Sequence, residues 1–112
     1  MSKESERADR IAITSLIRFA QELLVRAGLP ADKAQAVEAV LVDGDLMGHT
    51  THGLQLLAPY LAEIEKAGMT LEGEPEVLSS LPAAQLWDGR RLPGPWLVLR
   101  ALDRAAAMAR RW

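Results

Sequence analysis

The sequence predicts a mainly α-helical α+β domain with a helix pair, a histidine-containing turn, a third helix, two short strands and a terminal helix. Three observations favour this fold class. Apolar residues recur at three- and four-residue steps over most of the chain, the spacing of helical faces. This period is lost after residue 69, and Ala and Leu dominate the composition while Phe and Tyr occur once each. The length of 112 residues fits one domain.

The first two periodic segments predict a helix pair with a short Gly-Leu-Pro joint at residues 28–30. We expect the first helix from about Ile11 to Ala27, because Gly28 is placed to end it. The second helix is expected from near Ala31 to near Gly48. The residues expected on the inward faces of the two helices are Ile13, Leu16, Ile17, Ala20, Leu24, Ala27, Ala34, Val37, Val40, Leu41 and Met47.

A third helix is expected from about Thr51 to Ala67, with Gly68 as its stop. Pro59 complicates this prediction, because it either kinks the helix or marks a later start, with Thr51 to Ala58 as a separate turn. The apolar stripe expected on this helix consists of Leu54, Leu57, Leu61 and Ile64.

Two short strands are expected next, at residues 77–80 and 84–87, at the edge of a sheet. Pro82 separates them, and the second runs into a turn at Asp88-Gly89. A terminal helix should then begin at Trp96 and continue to the end of the sequence. Its apolar face is expected to carry Leu99, Leu102, Ala106 and Ala109.

Composition excludes several classes of function. A formal net charge of −2 offers no basic surface for nucleic acid or for an anionic membrane. No apolar run approaches the roughly 20 residues that cross a bilayer, and the polar N-terminus does not read as a signal peptide. The absence of cysteine excludes thiolate chemistry and fits a reducing compartment. We therefore expect a cytoplasmic protein without nucleic-acid or membrane partners.

Both histidines of the chain, His49 and His52, lie in one turn, with Asp43 and Asp45 shortly upstream. One interpretation is acid–base chemistry, because an imidazole gains and loses a proton near neutral pH. A second is a divalent metal held by Asp45, His49 and His52, although no fixed-spacing metal motif is matched. A third is a surface turn without a chemical role. The residues alone leave all three open, and the chain has neither a Gly-x-Gly-x-x-Gly nor a P-loop motif.

The run from Leu41 to Leu54 resembles the N-terminal region of the malate/L-lactate dehydrogenase family, the type-2 group, whose members tend to read Ala-Asp-x-x-Gly-x-x-Ser-His-Gly. A tyrosine follows that motif in the family, as Tyr60 does here. The family's Pro-x-Val and Asp-Gly strand segments are matched by residues 75–77 and 88–89, and its Gly-led last helix by residues 94–110. The resemblance therefore covers nearly the whole chain.

The resemblance implies hydride transfer between NAD or NADP and a malate- or lactate-like 2-hydroxy acid, in a homodimer, with no metal. It implies that His52 is the catalytic proton donor to the substrate carbonyl and that Thr51 and Tyr60 lie near the substrate. Leu56 stands where many members have an arginine that clamps the substrate carboxylate, so that recognition comes from elsewhere or the substrate differs.

Family members are about three times as long as this chain, and their non-Rossmann cofactor site and a further active-site histidine lie beyond its last residue. The resemblance thus implies that residues 1–112 form an N-terminal helical region, a fragment without a cofactor-binding domain and without turnover by itself. The alternative is a small helical interaction module that is not an enzyme.

Overall fold

The computed structural model describes residues 12–111, apart from the side chain of Thr50. The elements are α1 (Ile13–Arg26), α2 (Ala31–Leu46), two short 3₁₀ helices (Thr50–His52 and Leu54–Leu56), α3 (Leu57–Glu65), β1 (Glu76–Leu81), β2 (Ala84–Asp88) and α4 (Gly94–Arg111). This order confirms the predicted fold class. The predicted start of the first helix near Ile11 lies outside the described residues.

Each of the first three helices ends in the same turn, in which a residue of positive φ follows the last helical residues. In α1 this residue is Gly28, with φ of +115°, whose N–H donates to the carbonyl of Val25 at 3.0 Å. Gly48, with φ of +82°, ends α2, as the sequence predicts. In α3 the residue is Ala67, with φ of +59°, so the predicted stop at Gly68 is one residue late.

The third helix is shorter than the prediction of one helix from Thr51 to Ala67. The segment first forms two 3₁₀ turns, and α3 itself begins at Leu57. Pro59 is then the third residue of α3, a position whose N–H has no partner inside a helix, so the missing donor costs nothing. The alternative, a separate turn before a later helix start, is correct in kind, but the helix begins at Leu57, two residues before Pro59.

The first three helices enclose one hydrophobic core. Its buried members are Ala20, Leu24, Leu29, Ala34, Val37, Leu41 and Leu57. Leu54, Leu61 and Ile64 pack against this cluster, which confirms the apolar stripe predicted for the third helix. Two predicted inward residues are wrong, because Ile13 is 47% exposed and Met47 is 72% exposed. Met47 lies just past the last residue of α2, where the chain turns away from the core.

Two buried polar residues on α2 were not predicted. Glu38 is only 5% exposed, and its Oε1 accepts a hydrogen bond from Nε2 of Gln21 on α1 at 2.6 Å. Lys33 is equally buried, with Nζ 4.3 Å from the ring centre of Trp96 at the start of α4. Such a contact of an ammonium group with an indole face is favourable when it is shielded from water. These two contacts tie α2 to α1 and to α4.

The strands β1 and β2 pair in antiparallel register, with Val77 opposite Trp87 and Leu81 opposite Ala84, around a bulge at Leu78. Every residue of β1 is exposed. The hairpin confirms the two predicted strands, including the break at Pro82.

Helix α4 begins at Gly94, two residues before the predicted start, and its buried residues are Pro95 and Trp96. The predicted apolar face has no cover within residues 12–111, since Leu99 is 38% exposed and Leu102 is 59% exposed. Within residues 12–111, no helix combines the length and the apolar character needed to cross a membrane.

Candidate active site

The histidine turn begins at the C-terminal end of α2. His49 N–H donates to the carbonyl of Gly44 at 2.8 Å, which is the last bond of the helix-ending turn. His52 N–H then donates to the carbonyl of His49 at 2.9 Å, so that the chain winds into the first 3₁₀ helix. The backbone of His52 is therefore connected to α2 by two consecutive hydrogen bonds.

Two glycines allow this turn to fold back against α2. A Cβ on Gly44 would lie 2.5 Å from the carbonyl oxygen of His52, closer than real contacts allow. A Cβ on Gly53, which is buried, would overlap the carboxylate of Asp45. Gly44 is thus required for the close approach of the two backbones, and Gly53 leaves room for the Asp45 side chain.

Asp45 does not face the histidines. Its Oδ2 accepts a hydrogen bond from the backbone N–H of Leu54 at 2.9 Å, at the start of the second 3₁₀ helix. The Asp45 side chain therefore caps the second 3₁₀ helix, whose first residue, Leu54, comes nine residues later in the sequence. The sequence analysis considered Asp45 as a metal ligand, and this contact was not predicted.

His52 and Thr51 are brought together. Thr51 Oγ1 and His52 Nδ1 lie 3.0 Å apart, within hydrogen-bond distance, and both residues are exposed. A hydroxyl can donate to or accept from an imidazole nitrogen, so this contact serves either charge state of the ring. With Nδ1 engaged in this way, Nε2 is the nitrogen left for a substrate.

A shallow cleft of about 490 Å³ opens beside the turn. Its lining residues are Val40, Asp43, Gly44, Met47, His49 and His52. The lining is mainly apolar and combines two imidazoles with one carboxylate. It includes no lysine or arginine, so among the described lining residues nothing carries a fixed positive charge for an anionic substrate.

Tyr60 and Leu56 lie outside the lining of this cleft. Both are partly buried and pack against the core of the first three helices, and neither lines the cleft. Of the three predicted site residues, the structure thus brings together His52 and Thr51 and leaves Tyr60 apart from them. Leu56 packs against the apolar core, and this environment suits a leucine better than a basic residue.

Within residues 12–111 no group of three His, Cys, Asp or Glu side chains is arranged to hold a metal ion. Asp45, which was considered as a ligand with His49 and His52, accepts the N–H of Leu54. A second and larger hollow, of about 540 Å³, lies between the hairpin and α4 and is lined mostly by apolar atoms, with Trp87, Arg104 and Met108 among its residues.

The described residues do not by themselves fit a dinucleotide. The sheet has two antiparallel strands, whereas the common dinucleotide site needs a parallel strand–helix–strand unit with a glycine-rich loop. The lining of the cleft at the histidine turn provides no lysine or arginine for a pyrophosphate group. A cofactor of this kind would therefore need protein groups in addition to those that residues 12–111 provide.

Comparisons with known proteins agree with the resemblance. The chain is 29% identical over 102 residues to the malate dehydrogenase of Pyrococcus abyssi. The matched region covers 91% of this chain and 28% of that protein. It is 23% identical over 101 residues to the L-sulfolactate dehydrogenase of Methanothermobacter thermautotrophicus, over 90% of this chain and 30% of that protein. The chain spans less than a third of the length of these curated relatives.

The fold is that of the N-terminal part of such enzymes. The structure of malate dehydrogenase from Pyrococcus horikoshii superimposes with a TM-score of 0.88 at 29% identity, over 91% of this chain and 29% of that one. The family model for malate/L-lactate dehydrogenase matches residues 11–112, which is nearly the entire sequence. On these grounds the chain belongs to the malate/L-lactate dehydrogenase family.

Proposed function

We propose that residues 1–112 form the N-terminal region of an oxidoreductase that transfers a hydride between NAD or NADP and a malate- or lactate-like 2-hydroxy acid. Membership of the family supports the reaction class. The names of the relatives, malate, L-lactate and L-sulfolactate dehydrogenase, support a 2-hydroxy acid as substrate. The matched share of those relatives, under a third of their length, supports the idea of a region within a larger enzyme.

The observation that carries the proposal is His52, which lines the cleft and whose Nδ1 lies 3.0 Å from Thr51 Oγ1. In the direction of reduction, His52 would be the imidazolium, with Nδ1–H donating to Thr51 Oγ1. Its Nε2–H would then give a proton to the oxygen of the 2-oxo acid while the carbonyl carbon receives the hydride. In the direction of oxidation, neutral Nε2 would accept the proton of the hydroxyl group. A positioned acid of this kind contributes roughly 10²- to 10⁴-fold to a rate.

Recognition of the substrate carboxylate would require groups outside this cleft. The described lining has no lysine or arginine, and Asp43 would repel an anion from one side. Leu56, which stands at the family's arginine position, is packed against the core. We infer that a cation from another part of the enzyme binds the carboxylate. Tyr60 remains a proposed substrate contact on the strength of the motif alone.

The nicotinamide cofactor supplies or accepts the hydride when it is bound. Since the described residues do not fit a dinucleotide by themselves, its site would be formed largely by other parts of the enzyme, in a homodimer of the complete protein. We propose accordingly that the 112-residue chain has no turnover in isolation, and that the enzyme acts in the cytoplasm.

The experiment is a chimaera in which this chain replaces the matching N-terminal segment of the malate dehydrogenase from Pyrococcus horikoshii, with which it superimposes. NADH and NADPH oxidation is measured with a panel of 2-oxo acids. We expect measurable reduction of at least one of them, and we expect no reduction by the isolated chain. The variant His52→Gln should lower kcat by about 100-fold or more, because it removes the proton donor.

His49→Gln is the matched comparison, because it removes the neighbouring imidazole of the same turn. We expect its loss in kcat to be less than about 10-fold, far below the loss for His52→Gln. A folded chimaera that binds NADH and reduces no 2-oxo acid would refute the proposed reaction. Equal losses for the two histidine variants would refute the specific role of His52.

A further inference from the structure

The carboxylate of Asp45 holds the segment that immediately follows His52. Its Oδ2 accepts the N–H of Leu54 at 2.9 Å, and Leu54 is only two residues after the histidine. The donor is one of the first N–H groups of a 3₁₀ turn, which have no partner within that turn. An ionised acceptor makes such a bond shorter and stronger than a neutral one does.

The fit around this carboxylate is close. Gly53, between His52 and Leu54, lies so near Asp45 that a Cβ there would overlap the carboxylate group. Gly44, the residue before Asp45 on α2, lies against the carbonyl of His52 with no room for a Cβ. The residue before Asp45 and the carboxylate of Asp45 thus contact three consecutive residues, His52, Gly53 and Leu54. This geometry selects a short side chain with an acceptor oxygen at position 45.

The same helix also forms one wall of the cleft. Val40, Asp43 and Gly44 of α2 line it together with His52. Any loosening of the turn from the end of α2 would therefore move the imidazole relative to the wall against which a substrate would lie. His52 itself is exposed, so its side chain is not held in place by burial.

We propose that Asp45 is a positioning residue for His52. It acts through the backbone of Gly53 and Leu54 and does not touch the substrate. It fixes the distance between the histidine and the α2 wall of the cleft. The expected effect on catalysis rests on the proposed function. The claim that Asp45 holds the turn rests only on the contacts of Asp45.

The primary experiment uses the 112-residue chain and nuclear magnetic resonance. In the wild type, a scalar coupling across the hydrogen bond should connect the Leu54 amide nitrogen with the side-chain carboxyl carbon of Asp45. Because the chain has two histidines, both in this turn, their ring signals can be followed individually. In Asp45→Ala, the Leu54 amide should exchange with solvent at least about 10-fold faster, and the His52 ring signals should shift more than those of His49.

Asp45→Asn is the conservative variant, since its amide oxygen can still accept the Leu54 N–H. It should restore slow exchange at Leu54 and the wild-type position of the His52 signals. Asp103 is an exposed aspartate on α4, and Asp103→Asn is the control for loss of one negative charge. It should change neither the exchange rate of the Leu54 amide nor the His52 signals. Absence of the coupling in the wild type, while couplings within α2 are observed, would overturn the proposal. So would unaltered His52 signals in a folded Asp45→Ala chain.

The catalytic consequence is measured in the chimaera. Asp45→Ala should lower kcat about 10- to 100-fold, the effect expected from a misplaced catalytic group, with a smaller change in the KM for the 2-oxo acid. Asp45→Asn should recover most of kcat. If the chimaera is active and depends on His52 while Asp45→Ala keeps full kcat, the positioning role is wrong and the proposed function stands. If the chimaera is active but does not depend on His52, the proposed role of His52 is wrong, and the magnetic resonance results still decide whether Asp45 holds the turn.

Discussion

Residues 13–67, the core region, and residues 76–111, the arm, use apolar side chains in different ways. All seven buried members of the hydrophobic cluster lie between residues 20 and 57, in the core region. The buried residues of the arm are Leu92, Pro93, Pro95 and Trp96, at and just before the start of α4. Beyond them, the hairpin and α4 expose large side chains, namely Val77, Leu78, Leu81, Leu86, Val98 and Leu102.

The shape of the molecule reflects this difference. Its radius of gyration is 16.8 Å and its longest extent is 57 Å, whereas a compact domain of this length has a radius of about 13 Å. The histidine turn lies in the core region, where packing and hydrogen bonds define the backbone. The arm joins that region near the start of α4, where Lys33 of α2 lies over the ring of Trp96. The two regions should therefore respond differently to the same kind of mutation.

The largest difference is expected for truncation of leucine. Leu41→Ala removes a side chain that is 1% exposed in the core region, and it should lower the free energy of unfolding by about 2–5 kcal/mol. Leu102→Ala in the arm, where the side chain is 59% exposed, should change it by less than about 0.5 kcal/mol. Urea unfolding followed by circular dichroism measures both. Similar losses for the two variants would show that the arm is packed as tightly as the core region.

A smaller difference is expected between polar contacts. Gln21→Leu leaves the buried Glu38 carboxylate without its donor at 2.6 Å, at a cost of about 1–3 kcal/mol. Glu74→Gln in the exposed pair with Arg100, whose side chains are about half exposed, should cost less than about 1 kcal/mol. The same unfolding assay, repeated at high salt, compares them. A greater cost for Glu74→Gln would contradict the assignment of Glu38 to the interior.

The smallest effects are expected for alanine-to-glycine substitutions, which should change the stability in opposite directions in the two regions. Ala67 ends α3 with φ of +59°, where glycine is not strained, so Ala67→Gly should raise the stability by about 0.5–1 kcal/mol. Ala106→Gly in the middle of α4 should lower it by up to about 1 kcal/mol, because glycine is a poor helix former. Thermal unfolding of the two variants measures the signs. Destabilisation by Ala67→Gly would show that the left-handed conformation there is not strained.

The sequence predicted well those features that depend on periodicity and on glycine. The order of helices and strands follows from the spacing of apolar residues, and Gly28 and Gly48 end their helices as expected because glycine readily adopts positive φ. Positive φ at Ala67, Arg90 and Arg91 could not be predicted, since alanine and arginine do not favour it. Arg90 and Arg91 are held by hydrogen bonds from the distant Thr70, whose N–H donates to the carbonyl of Arg91 at 2.9 Å, whereas Ala67 lies in the local turn that ends α3.

For the candidate site, the sequence singled out candidate residues but not their contacts. The hydrogen-bonded pair of Thr51 and His52 agrees with the motif that singled them out. The roles of Asp45, Gly44 and Gly53 were missed, because they depend on how the turn folds back onto α2. Periodicity likewise identified an apolar face on α4, but it could not show whether a neighbouring segment covers that face.

The most direct test of the contrast between the two regions is amide hydrogen exchange of the 112-residue chain, resolved by residue. We predict that amides of Leu24, Val37 and Leu41 exchange only when the whole domain unfolds, because their side chains are 0–1% exposed within the closed core. The Leu54 amide should be protected nearly as well, since it donates to Asp45. Amides of α4 from Leu102 to Arg111 should exchange at least about 100-fold faster through local opening. Equal protection of the amides in α4 and in the core region would contradict the proposed difference in packing between the two regions.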